Sequence, residues 1–223
     1  MIQDLIRKLF GRTTHPAMTP TQRDTHQEKN TMTTYTIFGD GNMGTAIAGV
    51  LGKGGATTVT LSSDEAPTAT IDGDVVILAV PYPAVEEIIA THREALVGKT
   101  VIDITNPLNF DTFDELVVPA GSSAAAEIQA KLPDSRVLKA FNTTFAATLS
   151  SGKVGDLTTT VLVAGDDEDA KKALITDVTA GGLDALDAGS LKRAHELEAV
   201  GFLQLTLAGA EKISWSGGFG LIK

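Results

Sequence analysis

Residues 36–51 read TIFGDGNMGTAIAGVL: a short apolar run, three glycines at Gly39, Gly41 and Gly44, then an alanine-rich stretch with helical spacing. A glycine triplet alone marks only a turn. This one follows an apolar strand pattern, opens a helix and lies inside a strand-helix-strand unit, the context in which such spacing makes a cradle for a pyrophosphate. In that reading Gly39 permits the tight turn and Gly41 keeps a side chain away from the phosphates. Gly44 lets the helix pack close to the strand while its first N–H groups face the anion.

Outward from the loop, strand and helix signals alternate. Apolar runs at 35–38, 59–61, 75–80, 101–104, 137–140 and 161–164 read as buried strands, several of them β-branched and flanked by Gly, Asp or Pro. Helical patterns fill 43–51, 84–89, 124–132 and 169–178, and a last helix spans 192–213. The expected fold is α/β, a doubly wound and mainly parallel sheet of Rossmann type with a small C-terminal helical extension. The chain divides into three units: an N-terminal extension at 1–31, a dinucleotide-binding domain at 32–190, and a helix and tail at 191–223.

Composition narrows the chemistry. With no cysteine in 223 residues, disulfides, zinc–thiolate sites and thiol nucleophiles are excluded, and four scattered histidines make a poor metal site, so none is expected. A net charge of -10 argues against a nucleic-acid surface, which needs a basic stripe. No stretch has the ~20 apolar residues of a membrane span and none reads as a signal core, which points to a cytoplasmic protein. The first 31 residues differ from the rest: Ile2, Leu5, Ile6, Leu9 and Phe10 share one helical face, a polar stretch comes next, and Met32 stands just before the first strand. They read as a poorly ordered extension or an over-long translation start.

Three strand ends carry further signals. VVILAVPYP puts Pro81 and Pro83 after the 75–80 strand, VIDITNP puts Asn106 and Pro107 after the next, and VLKAFNTT puts Phe141, Asn142 and Thr143 after Ala140. In a parallel sheet these carboxyl ends form the ligand crevice. The order of GDGNMG, LAVPY, KAFNT, VAGDD, LDAGSL and GGFGLIK resembles the NADP oxidoreductases dependent on the deazaflavin coenzyme F-420. Their fold also appears in pyrroline-carboxylate reductases and in the cytosolic domain of membrane metalloreductases. The resemblance implies that Asp40, Gly41, Asn42 and Met43 hold the pyrophosphate and adjacent ribose. Ser62 and Ser63 would meet the adenosine ribose, and Val80, Pro81 and Ala140 the nicotinamide side. The deazaflavin would stack across Pro81, Asn142, Thr143 and the Gly217 to Leu221 stretch.

No residue reads as an acid-base catalyst. His92, at the apparent end of a helix, and His195, at the start of the last one, suit solvated or capping roles. Hydride transfer between two bound cofactors needs positioning more than proton chemistry, so this absence fits. The last helix carries Leu197, Val200, Phe202, Leu203, Leu205 and Leu207 around much of its circumference, implying two buried faces and a homodimer. The expected partners are small redox cofactors: NADP or NAD, and coenzyme F-420. A flavin or ferric-chelate reductase, or a non-catalytic dinucleotide sensor, are the other readings open to the sequence. Where the family has serine then arginine after the second strand, this chain has Ser62, Ser63 and then Asp64, which predicts a weakened preference for NADP.

Overall fold

A computed structural model describes residues 32–223; the extension read at 1–31 lies outside the described residues. The strand order is set by runs that are apolar on both faces. Strand β1 (Thr34–Phe38) leads through helix α1 (Asn42–Lys53) to β2 (Thr57–Leu61), a parallel neighbour of β1. The chain then crosses to the other side of β1 and adds β3 (Val75–Leu78), helix α2 (Tyr82–Leu96), β4 (Thr100–Asp103), helix α3 (Ala124–Lys131) and β5 (Arg136–Lys139). A short helix α4 (Ala146–Ser151) and a hairpin of β6 (Lys153–Val154) and β7 (Leu157–Thr158) precede β8 (Thr160–Gly165). Strand β8 runs antiparallel to β5; helix α5 (Glu168–Ala180), β9 (Asp184–Gly189) and helix α6 (Ala194–Gly209) complete the described elements.

The seven-stranded sheet has the order β2-β1-β3-β4-β5-β8-β9. Its direction of growth reverses between β1 and β3, and the carboxyl ends at that reversal are where open α/β sheets bind ligands. Alternate strand residues feed opposite faces. Ile37, Ile77, Ile102 and Leu138 pack with Ile47, Val50 and Leu51 of α1 and Leu174 and Val178 of α5. Phe38, Val76, Leu78, Val101 and Val137 pack with Val85 and Ile89 of α2 and Ile128 of α3. Covering both faces explains why the strands read as continuous apolar runs.

The expected doubly wound sheet is thus present, with two boundary differences that bear on the site. Strand β3 stops at Leu78 instead of 80, because after the Ala79 N–H bonds Phe38 the backbone leaves the ladder. Helix α2 runs seven residues past 89, its buried face continuing through His92 to Leu96. The hairpin and α4 are too short to give a periodic signal.

Candidate functional site

At the switch point the glycine loop is held from three sides. The Gly39 N–H donates to Leu61 O at 2.9 Å, tying the end of β1 to that of β2. Gly39 has φ +111°, and a Cβ there would collide with the Ala79 carbonyl; a Cβ on Gly44 would collide with the Gly39 carbonyl. Gly41 differs: its φ is -69° and nothing lies within 4 Å of where its Cβ would stand. No side chain caps α1, so its first turn presents its N–H groups at this open end.

Two clefts flank the loop. The first, of about 340 Å³, gathers Gly39, Asp40, Gly41, Ser62, Ser63, Val80 and Pro81 with Phe38, Pro67, Glu87, Thr91 and His92. The second, of about 380 Å³, is lined by Asn42, Met43, Ile104, Asn106, Asn142, Phe145, Leu205 and Trp215. Three expected residues line neither: Gly44, packed against the Gly39 carbonyl, and Ala140 and Thr143. Ala140 is fully buried and its carbonyl accepts the Asn142 N–H at 2.8 Å. Thr143 lies instead beside Gly217, Gly218 and Phe219, in a narrow crevice with Gln204. The tail therefore reaches the second cleft through Trp215, whose ring packs on Phe145 at 5.1 Å.

His92 corrects the sequence reading. The helix continues past it, so the ring is 8% exposed instead of solvated. It floors the first cleft, 5.2 Å from the Phe38 ring, with Nε2 2.7 Å from Ala66 O. Extending the i, i+4 face of α2 from Ile88 to His92 would have found it. His195 is half-buried, its Nδ1 2.9 Å from Ser122 O, tying the start of α6 to the segment before α3.

Below the second cleft lies a charged cluster that carries no sequence signal. Lys139 Nζ is fully buried and reaches Asp103 Oδ2 at 2.8 Å, Glu198 Oε1 at 2.8 Å and Thr105 O at 2.5 Å. Glu198 also accepts the Ala124 and Ala125 N–H groups at the start of α3. Burial pushes its carboxyl up against the pull of Lys139. Just above, Asn106 Nδ2 donates to Asn142 O, while Asn142 Nδ2 donates to Asn106 Oδ1 and Leu197 O. The ends of β4 and β5 and helix α6 are locked together at the slot. Gly201 of α6 leaves room for this, since a Cβ would strike the Asn106 amide.

The second strand end also departs from expectation. The residue that engages Ser62 is Glu65, not Asp64: both the Ser62 N–H and its hydroxyl donate to Glu65 Oε2, at 2.9 and 2.8 Å. Those bonds hold the Glu65 carboxyl below its ordinary range.

Comparison with known proteins bears out the resemblance. A family model described as NADP oxidoreductase, coenzyme F420-dependent, matches residues 62–107. The chain is 35% identical over 136 residues to the F420-dependent NADP reductase of Methanocaldococcus jannaschii, covering 59% of this chain and 60% of that protein. It is 33% identical over 107 residues to the metalloreductase STEAP3 of Rattus norvegicus, covering 48% of this chain and 21% of that protein. The chain thus spans less than two thirds of these curated relatives. Among solved structures, a provisionally assigned F420-dependent NADP-reductase from Arthrobacter sp. FB24 superposes with TM-score 0.72 and 23% identity, over 86% of this chain and 100% of that one. A hypothetical protein, SMa0349 of Sinorhizobium meliloti, does so with TM-score 0.59 and 26% identity, over 72% and 86%. Among the described residues no helix is long and apolar enough to cross a membrane.

Proposed function

We propose that this chain, which resembles the F420-dependent NADP oxidoreductases, moves a hydride between a nicotinamide dinucleotide and a flat redox cofactor, the deazaflavin coenzyme F-420. The observation that carries the reading is one loop divided between two clefts: Gly39, Asp40 and Gly41 line the first, Asn42 and Met43 the second. A dinucleotide has its pyrophosphate in the middle and must cross such a loop to put adenosine on one side and nicotinamide on the other. The residues fit that group, because Gly41 leaves open space and the uncapped first turn of α1 offers N–H donors to an anion.

In this reading Asp40, Gly41, Asn42 and Met43 hold the pyrophosphate, and Ser62 and Ser63 the adenosine ribose. Of the residues expected beside the nicotinamide, Val80 and Pro81 line the first cleft with Ser62 and Ser63, so in this reading only the strand end at Ala140 lies on the nicotinamide side. The acceptor enters the slot beside Asn142, with Thr143 and the tail behind it. When bound, the reduced dinucleotide supplies a hydride to the acceptor ring, and the acceptor takes one further proton from water. The chain's own part is positioning and exclusion of water. Ile104, Phe145, Leu205 and Trp215 give the slot apolar walls, and the Asn106–Asn142 pair fixes its floor. We further infer a homodimer, because α6 and the tail leave large apolar side chains exposed, and, from the sequence reading above, a cytoplasmic location.

The test is turnover by the purified protein of NADPH and NADH with F-420 or with FMN, monitored by the absorbance of each cofactor. Reduction of F-420 supports the reading. Reduction of FMN alone, or of a ferric chelate offered in a parallel assay, would favour a second one, for which the likeness to the rat metalloreductase speaks. Tight dinucleotide binding with no acceptor reduced would leave only a sensor.

A further inference from the structure

We propose that Glu65 is a specificity-determining residue, biasing the adenosine end of the first cleft towards a dinucleotide without a 2′-phosphate. The inference rests on the dinucleotide reading above. Ser62 closes the second strand, where the ribose of a bound dinucleotide is met. Both of its donors are already directed at one oxygen of Glu65, at 2.9 Å from the backbone N–H and 2.8 Å from the hydroxyl.

The electrostatics differ for the two cofactors. A 2′-phosphate brought to Ser62 must displace a carboxylate or share its donors with one, and like charges at that distance repel. A ribose hydroxyl meets no such cost, because it is itself a donor and the carboxylate has acceptor positions to spare. The rest of the cleft offers the phosphate little. Among the described residues its lining contains the carboxylates of Asp40 and Glu87 and no lysine or arginine. The His92 ring is committed through Nε2 to Ala66 O. Lys53 stands in the last turn of α1, roughly 16 Å along the helix from its start, out of reach of the ribose. Exposed Glu65 is a carboxylate at neutral pH, and the same two bonds hold its carboxyl further below the ordinary range.

The experiment is calorimetric titration of the full chain with NADH and with NADPH at low salt, in wild type, Glu65→Gln and Ser63→Arg, each with a melting curve. Glutamine keeps an acceptor for Ser62 and removes only the charge. Wild type is expected to bind NADH at least as tightly as NADPH. Glu65→Gln is expected to shift the NADPH to NADH affinity ratio about tenfold towards NADPH, and Ser63→Arg to shift it the same way. A wild-type preference for NADPH above about tenfold, with the ratio unmoved in Glu65→Gln, overturns the role of Glu65 and leaves the dinucleotide reading standing. Binding of neither dinucleotide by folded wild type overturns both. Ser63→Arg supplies the charge from the adjacent position and keeps the question decidable if Glu65→Gln does not fold.

Discussion

At the scale of the residue, the three loop glycines stand under different demands, two of them set by the fold and the third by the proposed ligand, and each makes a different mutant. Gly39 has positive φ and no room for a Cβ, so Gly39→Ala strains the backbone and pushes Ala79 away from the end of β3. Gly44 has no room against the Gly39 carbonyl, so Gly44→Ala forces α1 off β1. Each is expected to cost about 3 kcal/mol or more, the scale of overpacking combined with backbone strain. Gly41 has neither constraint: φ -69° and ψ -173° suit a β-branched residue, and its surroundings are open. Gly41→Val is therefore expected to keep stability to within about 1 kcal/mol of wild type while losing dinucleotide affinity at least tenfold. Cofactor titration beside melting curves checks this, and unchanged affinity in Gly41→Val would reduce the loop to a turn. The constraints at Gly39 and Gly44 were legible in the sequence because only glycine meets such demands. Glu65 was not, since an i, i+3 bond between exposed side chains leaves no periodic mark and Asp64 offered a carboxylate one position nearer. His92 was missed because the extent of a helix depends on what packs against it.

At the scale of the element, α6 departs in part from the pattern that its sequence suggests: Leu197 is buried as expected, but polar residues share its inner face. Its buried positions include Glu198, Gly201 and Gln204, while Val200 and Leu203 are 37% and 51% exposed. The apolar residues around the helix were legible; which of them face inward was not, because the helix packs on polar groups at the slot. Glu198 binds Lys139 and the start of α3, and Gln204 Oε1 accepts the Phe219 N–H of the tail at 3.2 Å. Two carboxylates around one ammonium leave the cluster with surplus negative charge, and burial adds to the cost of ionising Glu198. With its pKa raised in the folded state, Glu198 binds a proton more readily there than in the unfolded chain. Its contribution to stability is thus full below the unfolded value of about 4.3 and is lost as pH rises through the folded one. Asp187 and Glu65, held below the ordinary range, contribute with the opposite sign. The difference between wild type and Glu198→Gln isolates the term: the variant should gain stability relative to wild type as pH rises from about 4.3 towards neutrality. Parallel melting-temperature profiles for the two would show that Glu198 carries its charge in the fold without cost.

At the scale of the whole molecule, alternation of strand and helix was enough to read the doubly wound sheet, because burial on both faces leaves apolar runs that survive without any contact information. The antiparallel placement of β8 against β5 was not readable, since strand direction in the sheet is fixed by the connection through α4 and the hairpin, both too short to see. The two clefts were legible only as strand ends that had to converge; their division by the loop needed the fold. Beyond β9 the described residues supply helix α6 and a tail, and the outer side of α6 is exposed among them. That side carries Val200 and Leu203, and the tail adds Trp215, Phe219, Leu221 and Ile222, all among the exposed large apolar side chains. Such a surface is covered most economically by a second copy of itself about a twofold axis, where each exposed leucine is buried once on each protomer. Burying a leucine contributes about 1.5–3 kcal/mol, and a twofold interface counts it twice, so Leu203→Glu should dissociate the inferred dimer at micromolar concentration. Leu203 lines neither cleft, and dinucleotide affinity should therefore stay within about twofold of wild type. Sedimentation velocity of both proteins, with NADH titration of each, decides the matter: a wild type that sediments as a monomer at tens of micromolar removes the homodimer, and a Leu203→Glu variant that remains dimeric moves the interface away from α6.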